Sequence, residues 1–227
     1  MHEAKISEIF LSLQGEGIYL GEPQVFVRFY GCNLACGFCD TPQSSHKTFT
    51  KDALMSKILS FEEPYASVSL TGGEPLLQVD FLRGFLESYK RFYKKAIYLE
   101  TNGTLYRELE KIIDFVDIIA MDIKLPSSTG EKPLWEEHGK FLKVAGKRKV
   151  FVKTVITSTT SAEDILKAKD IISGIDAGIP LVLQPVSELG KIKKPGESEL
   201  TGFRQTVLGF LERVEIISQA HKQLGIK

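Results

Sequence analysis

Hydrophobic and polar positions along this 227-residue chain follow two periods that take turns. Short runs rich in β-branched and aromatic residues read as strands: Gln24 to Tyr30, Ala66 to Thr71, Ala96 to Glu100, Val116 to Met121, Lys149 to Ile156, Pro180 to Gln184 and Val214 to Ile217. Between them lie stretches with apolar residues three and four apart, which predict helices over Thr50 to Ser60, Val79 to Tyr93, Leu105 to Phe115, Pro133 to Ala145, Ala162 to Ser173 and Glu199 to Leu211. Thr50 is a natural N-cap for the first of these.

Strands alternating with helices imply βαβ units and a mostly parallel sheet. About six such units fall short of the eight that close a barrel. The expected fold is therefore α/β, a partial, open βα barrel forming one domain over residues 1–227. Polar and glycine-rich motifs gather just after strands, the rim where α/β folds bind ligands. The segment Ser187 to Ser198 is basic and carries Gly and Pro, and reads as a solvated loop.

Charge narrows the classes. The chain has 29 basic and 29 acidic residues, so nothing global points to nucleic acid or to an anionic membrane surface. No apolar run is long enough to span a bilayer. The first residues lead into an amphipathic stretch rather than a signal-peptide core, and the expected location is cytoplasmic.

All three cysteines sit in one loop, Gly31-Cys32-Asn33-Leu34-Ala35-Cys36-Gly37-Phe38-Cys39-Asp40-Thr41. They cannot form a disulfide framework, and clustered thiolates suit a reducing compartment. Closed zinc sites and fully ligated iron–sulfur clusters want four protein ligands. Three thiolates on a four-iron cluster leave one iron open to bind and activate a ligand. The alternative is a Cys3His zinc site using His46. Downstream, Gly72-Gly73-Glu74-Pro75 also follows a strand: its glycines allow close backbone approach, and Glu74 can accept hydrogen bonds from an ammonium group. Upstream, Ser12-Leu13-Gln14-Gly15-Glu16-Gly17 suits a backbone wrapped around a polar ligand. Arg28 stands mid-strand, where a charge pairs, faces a cavity or, on an edge strand, snorkels to solvent, and its planar fork matches a carboxylate.

The C-x3-C-x2-C loop resembles that of the radical S-adenosylmethionine (SAM) enzymes, and the GGEP turn resembles their methionine-binding motif. Together SLQGEG, VFVRFYGCNLACGFCDT, TGGEP, ETNGT, MDIKLPSS and LQP resemble the 7-carboxy-7-deazaguanine synthase family, over nearly the whole chain and as far as His221-Lys222-Gln223-Leu224-Gly225. The resemblance implies a lyase. A reduced [4Fe-4S] cluster on Cys32, Cys36 and Cys39 cleaves SAM, and the resulting radical takes a hydrogen from 6-carboxy-5,6,7,8-tetrahydropterin. The ring contracts with loss of ammonia, SAM is regenerated, and the product enters queuosine or related deazapurine synthesis. It further implies that Gly72, Gly73 and Glu74, with Pro75 shaping the turn, hold the methionine part of SAM, while Phe38, Lys124, Ser127, Ser128 and Gln184 contact the rest. Leu13, Gln14 and Gly15 bind the pterin with Glu16 close by, Arg28 pairs with its carboxylate, Thr71 touches it, and Thr41 places its hydroxyl on Mg2+. The expected partners are the small-molecule substrate, an electron donor such as flavodoxin or ferredoxin, and a second copy in a homodimer, with no nucleic acid and no membrane.

Other residues carry less. Thr101 and Asn102 line a SAM pocket or form an Asn-Gly turn. Asp122 and Lys124 make a strand-end salt bridge on the simplest view. His221 reads as a surface helix residue and Trp135 as helix packing. Two rival functions stand beside the main one: a glycyl-radical activase sharing the cysteine loop, and a Cys3His zinc module binding nucleic acid or a partner.

Overall fold

A strand buried on one side by a helix layer shows its alternate residues to whatever lies on the other side, and this chain uses both sides differently. The computed structural model describes residues 3–41, 45–188, 190, 192–220 and 225; His221 lies outside them. The strands are β1 (Ala4–Leu13), β2 (Pro23–Phe29), β3 (Lys47–Phe49), β4 (Ser67–Gly72), β5 (Ala96–Thr101), β6 (Ile118–Asp122), β7 (Lys149–Ile156), β8 (Leu181–Pro185) and β9 (Val214–Ile216). The helices are α1 (Lys51–Leu59), α2 (Val79–Phe92), α3 (Tyr106–Glu110), the single turn α4 (Pro126–Thr129), α5 (Trp135–Ala145), α6 (Ala162–Ser173) and α7 (Glu197–Val207).

Among the described residues the strands form one sheet in the order β3-β1-β2-β4-β5-β6-β7-β8-β9, with β3 and β9 at opposite ends, so the barrel is open. From β2 to β9 every pairing is parallel, and β2, β4, β5, β6, β7 and β8 are each followed by a helix before the next parallel strand, which makes the expected six units. The two antiparallel strands, β1 and β3, extend the sheet beyond β2.

The convex face carries the main core. Val25, Val27 and Phe29 of β2, Val68 and Leu70 of β4, Leu99 of β5 and Ile119 of β6 pack under Leu82, Phe85 and Leu86 of α2 and Phe141 and Leu142 of α5. Among the described residues the concave face carries one 3-10 turn, Gly17–Tyr19, in place of a helix layer. At the end where the parallel strands begin it is sealed by a second apolar cluster of Tyr98, Ile118, Ala120, Phe151 and Val182, against which Ile18 and Tyr19 pack. Two residues further along four of these strands, on the same face, stand Glu100, Asp122, Lys153 and Gln184. One face thus runs from an apolar plug to a charged rim within a single strand repeat.

The predicted boundaries of β7 and α6 coincide with the observed ones. Thr50 caps α1, its hydroxyl accepting from the Ala53 amide at 3.2 Å. The amphipathic N-terminal stretch is the strand β1: most of its residues are half-buried, so it lacks the clean alternation that marks a strand. The helix expected over Leu105 to Phe115 stops at Glu110 and resumes as a 3-10 turn over Ile113–Phe115. Two adjacent β-branched residues, Ile112 and Ile113, are poor helix continuers and are used instead to plug the core. The last helix starts two residues before its expected Glu199, because the Glu199 carboxylate accepts from the Gly196 amide and sets the start. Its C-terminal end falls at Val207, short of the expected Leu211.

The apolar plug predicts a stability effect remote from any ligand. Phe151→Ala removes a fully buried ring and should cost about 3–5 kcal/mol. Equilibrium urea unfolding would detect it, and a loss below about 1 kcal/mol would mean the concave face is sealed by something else.

Candidate active site

The rim residues of the concave face and the loops after β2, β4, β5 and β6 enclose a cavity of about 690 Å³. It is lined by Cys32, Cys36, Cys39, Phe38 and Thr41 from the cysteine loop, by Gly72 and Gly73, by Leu13, Gln14, Gly15 and Glu16, and by Arg28, Thr71, Lys124 and Gln184. Fifteen of the eighteen residues that the resemblance assigns to the site therefore line one cavity. Glu74, Ser127 and Ser128 do not reach it.

The cysteine loop has no regular structure of its own and is pinned from outside. The Gly37 amide donates to the Thr129 carbonyl at 2.8 Å, and the Ala35 amide donates to the Glu131 carboxylate at 2.5 Å, so the turn after α4 holds the loop's middle. At the other end Asn102 donates to the Asn33 side chain at 2.8 Å and lies 3.8 Å from the Cys32 sulfur. All three thiols are free, with Cys32 and Cys39 exposed and Cys36 half-buried. Burial pushes Cys36 up to about 11, against the pull of the nearby Lys124 ammonium. Burial raises Cys32 too. Three soft sulfurs on one irregular loop, opening on one cavity, are the donor set an iron–sulfur cluster takes. Among the described residues no three His, Cys, Asp or Glu side chains converge on a single-ion site, and His46 packs on the Tyr30 ring at 4.5 Å.

The glycine turn after β4 is welded to the exit of β2. The Gly73 amide donates to the Phe29 carbonyl at 3.0 Å and the Glu74 amide to the Gly31 carbonyl at 2.8 Å. Gly72 has φ +128°, and a Cβ there would stand 2.3 Å from the Phe29 carbonyl oxygen, so only glycine fits. The Glu74 side chain turns away from the cavity. Its carboxylate accepts from Thr101 Oγ1 at 3.0 Å, from the Asn102 amide at 2.8 Å and from the Leu76 amide at 3.1 Å. Burial raises its pKa to about 7 in spite of these bonds. Glu74 thus anchors the loop that supports Cys32.

The opposite wall is polar. Gln14 donates from Nε2 to Glu100 at 2.8 Å and to Gln24 at 3.2 Å, and its Oε1 accepts from the Glu16 amide at 3.1 Å. Thr71 donates to the other Glu100 oxygen at 2.8 Å. Glu16 forms an ion pair with Lys153, whose side chain is 12% exposed against 16% for Glu16. Burial alone would raise the Glu16 carboxyl, but the Lys153 ammonium and hydrogen bonds from Lys153, Gln219 and Gln184 hold it at about 2. Lys153 stays protonated because Glu16, Glu100 and Asp122 outweigh its burial. Arg28 stands at the edge, its Nε 3.2 Å from a Glu8 oxygen and its guanidinium over the Phe10 ring.

Ser127 and Ser128 sit one layer behind the wall. Ser127 donates to Asp164 and accepts from the Ser161 amide at 3.0 Å, while Ser128 pairs with Thr160 at 2.7 Å. They fasten α4 to the loop before α6. The Lys124 side chain lies over the Phe38 ring and bonds Asp122 at 2.8 Å, the strand-end salt bridge expected from sequence. Among the described residues the other Asp122 oxygen, Oδ1, and Gln184 Oε1 have no partner although both residues are buried and line the cavity. Glu100, Lys153 and Gln219 also line the cavity and were not singled out. The signal for Lys153 was available, since it is a charge in mid-strand just as Arg28 is.

The radical SAM superfamily profile matches residues 26–176. The chain is 35% identical to 7-carboxy-7-deazaguanine synthase of Geobacter sulfurreducens over 245 residues, covering 98% of this chain and 97% of that one. It is 33% identical to the protein of the same name from Archaeoglobus fulgidus, over 99% of both. Among solved structures, QueE from Escherichia coli superposes with a TM-score of 0.64 at 19% identity, over 96% of this chain and 95% of that one. A histidine-tagged anSMEcpe with bound AdoMet superposes with a TM-score of 0.56 at 19% identity, over 82% and 60%.

The buried ion pair carries a pH signature. Glu16 has its carboxyl held near 2 instead of the ordinary 4.5, so the pair's contribution is present above about pH 4.5 and is lost as the pH falls toward 2. Lys153→Met leaves Glu16 buried without its cation and should cost about 3–5 kcal/mol at pH 7. That deficit should shrink as the pH is lowered toward 4, because the orphaned carboxyl then takes up a proton. Urea unfolding at several pH values reads it, and a deficit independent of pH would mean that Glu16 is solvated.

Proposed function

The chain belongs to the radical SAM superfamily and, within it, to the 7-carboxy-7-deazaguanine synthases, and we propose that it converts 6-carboxy-5,6,7,8-tetrahydropterin to 7-carboxy-7-deazaguanine with loss of ammonia. One observation carries the proposal: three free thiols and a glycine turn face a polar wall with Arg28 at its edge across one cavity. A bound [4Fe-4S] cluster with SAM supplies one-electron cleavage of the sulfonium bond, and with it a hydrogen-abstracting radical.

The chain's own residues prepare the rest. Cys32, Cys36 and Cys39 would hold the cluster as thiolates, their protons released to solvent. Gly72 and Gly73 bring main chain close to the methionine end of SAM, and Glu74 acts from behind by fixing Thr101 and Asn102. Phe38 and Lys124 offer an aromatic face and an ammonium to the remainder, with Gln184 on the same cavity. Ser127 and Ser128 act through α4, whose following turn grips the cysteine loop. Arg28 moves its guanidinium from Glu8 to the substrate carboxylate, a charge-assisted pairing. Leu13, Gln14, Gly15 and Thr71 frame the pterin, with Glu16 kept anionic by Lys153. Thr41, two residues after the last cysteine and on the cavity wall, would supply a hard hydroxyl oxygen to Mg2+. An electron donor such as flavodoxin or ferredoxin feeds the cluster, and the working protein is a homodimer in the cytoplasm. Among the described residues no helix is long and apolar enough to cross a membrane.

The test is an anaerobic assay of the reconstituted protein with dithionite, SAM, Mg2+ and the carboxytetrahydropterin, read by mass spectrometry. The expected result is 7-carboxy-7-deazaguanine from the natural chain and none from Cys36→Ala. SAM cleavage without product would overturn the substrate and keep the enzyme class. In the same assay Arg28→Ala should raise KM for the pterin about 10- to 100-fold, the worth of a charged hydrogen-bonded pair. An unchanged KM would remove Arg28 from the carboxylate site.

A further inference from the structure

One histidine in the helix layer is not explained by packing. His138, near the start of α5, is fully buried. Its Nδ1 lies 3.0 Å from the Gly103 carbonyl oxygen, and its Nε2 lies 3.2 Å from the Lys124 main-chain nitrogen. A carbonyl only accepts and an amide only donates. The ring that satisfies both is neutral, with its proton on Nδ1.

Both partners belong to loops that end on the cavity wall. One residue before Gly103, Asn102 reaches Asn33 and the Cys32 sulfur. The side chain of Lys124 itself lies over Phe38. The approach is close: Gly103 has φ +68°, and a Cβ there would stand 3.2 Å from His138 Nδ1 and 2.7 Å from the Met121 methyl carbon. Among the described residues, no side chain other than that of His138 bonds both loops.

We infer that His138 is a positioning residue: its neutral Nδ1–H ring fixes the spacing of the loops after β5 and β6, and so seats Asn102 beside Cys32 and Lys124 beside Phe38 for cofactor binding. The consequence for SAM rests on the function proposed above, while the bridge itself does not. A protonated ring carries a second donor on Nε2, which would face the Lys124 amide and open the link. The charged groups that face the ring are Asp122 and Lys124 from the end of β6 and the loop after it, and Glu137 on its own helix. Burial, with the Lys124 ammonium on its side, outweighs the Gly103 carbonyl and the Asp122 and Glu137 carboxylates and holds the ring down to about 4. The folded chain therefore resists protonation between about pH 6.5 and pH 4, and loses this part of its stability as the pH falls through that window.

Two measurements on the reconstituted protein test the inference. Nitrogen NMR of the histidine ring should show the neutral Nδ1–H form from about pH 7.5 down to about pH 5.5. An Nε2–H ring, or one titrating at an ordinary histidine pKa, overturns the bridge, and this reading needs no activity. Second, His138→Leu should raise the apparent KM for SAM by about tenfold or more and alter the change that SAM makes in the reduced cluster's paramagnetic resonance spectrum. His138→Gln, which keeps one donor and one acceptor, should bring KM back to within about threefold. A leucine variant with natural KM and an unaltered spectrum sinks the inference. So does a glutamine variant that regains the melting temperature without regaining KM, since the role is then structural alone. If His138→Leu does not fold, His138→Asn, too short to reach both loops, takes its place under the same criteria. A natural chain that never cleaves SAM would defeat the proposed function, and the ring's tautomer would still decide the bridge.

Discussion

A parallel sheet that curls without closing has an inner face that no helix layer covers, and this chain answers that constraint within two residues. Along β5, β6, β7 and β8 an apolar residue joins the plug, and the next residue on the same face carries a carboxylate, an ammonium or an amide. The plug needs burial and the rim needs partners. Lys153 and Glu16 supply each other, Gln14 and Thr71 share Glu100, and Lys124 takes Asp122. Polar groups in such a place are costly unless satisfied. The hydrogen-bonded wall is therefore as much a condition of folding as the core outside it.

The loops that carry the chemistry are held by residues that never touch the cavity. Glu74 ties the turn after β4 to the loop after β5, Ser127 and Ser128 tie α4 to the loop before α6, and Glu131 holds the middle of the cysteine loop. Each spans two elements far apart in sequence. A short irregular loop has no ladder of its own, so its shape is set by what grips it. Placement of three thiols thus depends on carboxylates, hydroxyls and an imidazole one layer away.

Much of this is legible in the order of residues alone. The alternation of strand and helix periods locates the parallel strands and the helices between them, and clustered polar motifs after strands locate the rim. What escapes is β1, half-buried along most of its length, and β3, three residues long. In the site, Arg28 draws notice because a charge in mid-strand needs a reason; Lys153 in KVFVKTVI offers the same reason and passes as ordinary. Glu74 and Ser127 read as ligand contacts because motif and position put them near. Their partners, Thr101 and Asp164, lie 27 and 37 residues away, and only the register of the sheet brings them together.

The join between the exits of β2 and β4 is made of main chain. Two amides bond two carbonyls, and Gly72 presses its bare Cα against the Phe29 backbone. Side chains hardly enter it. Geometry written in peptide groups can be inherited while nearly every side chain around it turns over, because mutation acts on side chains and leaves the backbone's donors and acceptors in place. That suits a fold shared with proteins fewer than one residue in five alike. The far wall, by contrast, is built of side chains, and a substitution there leaves the seam beside the thiols undisturbed.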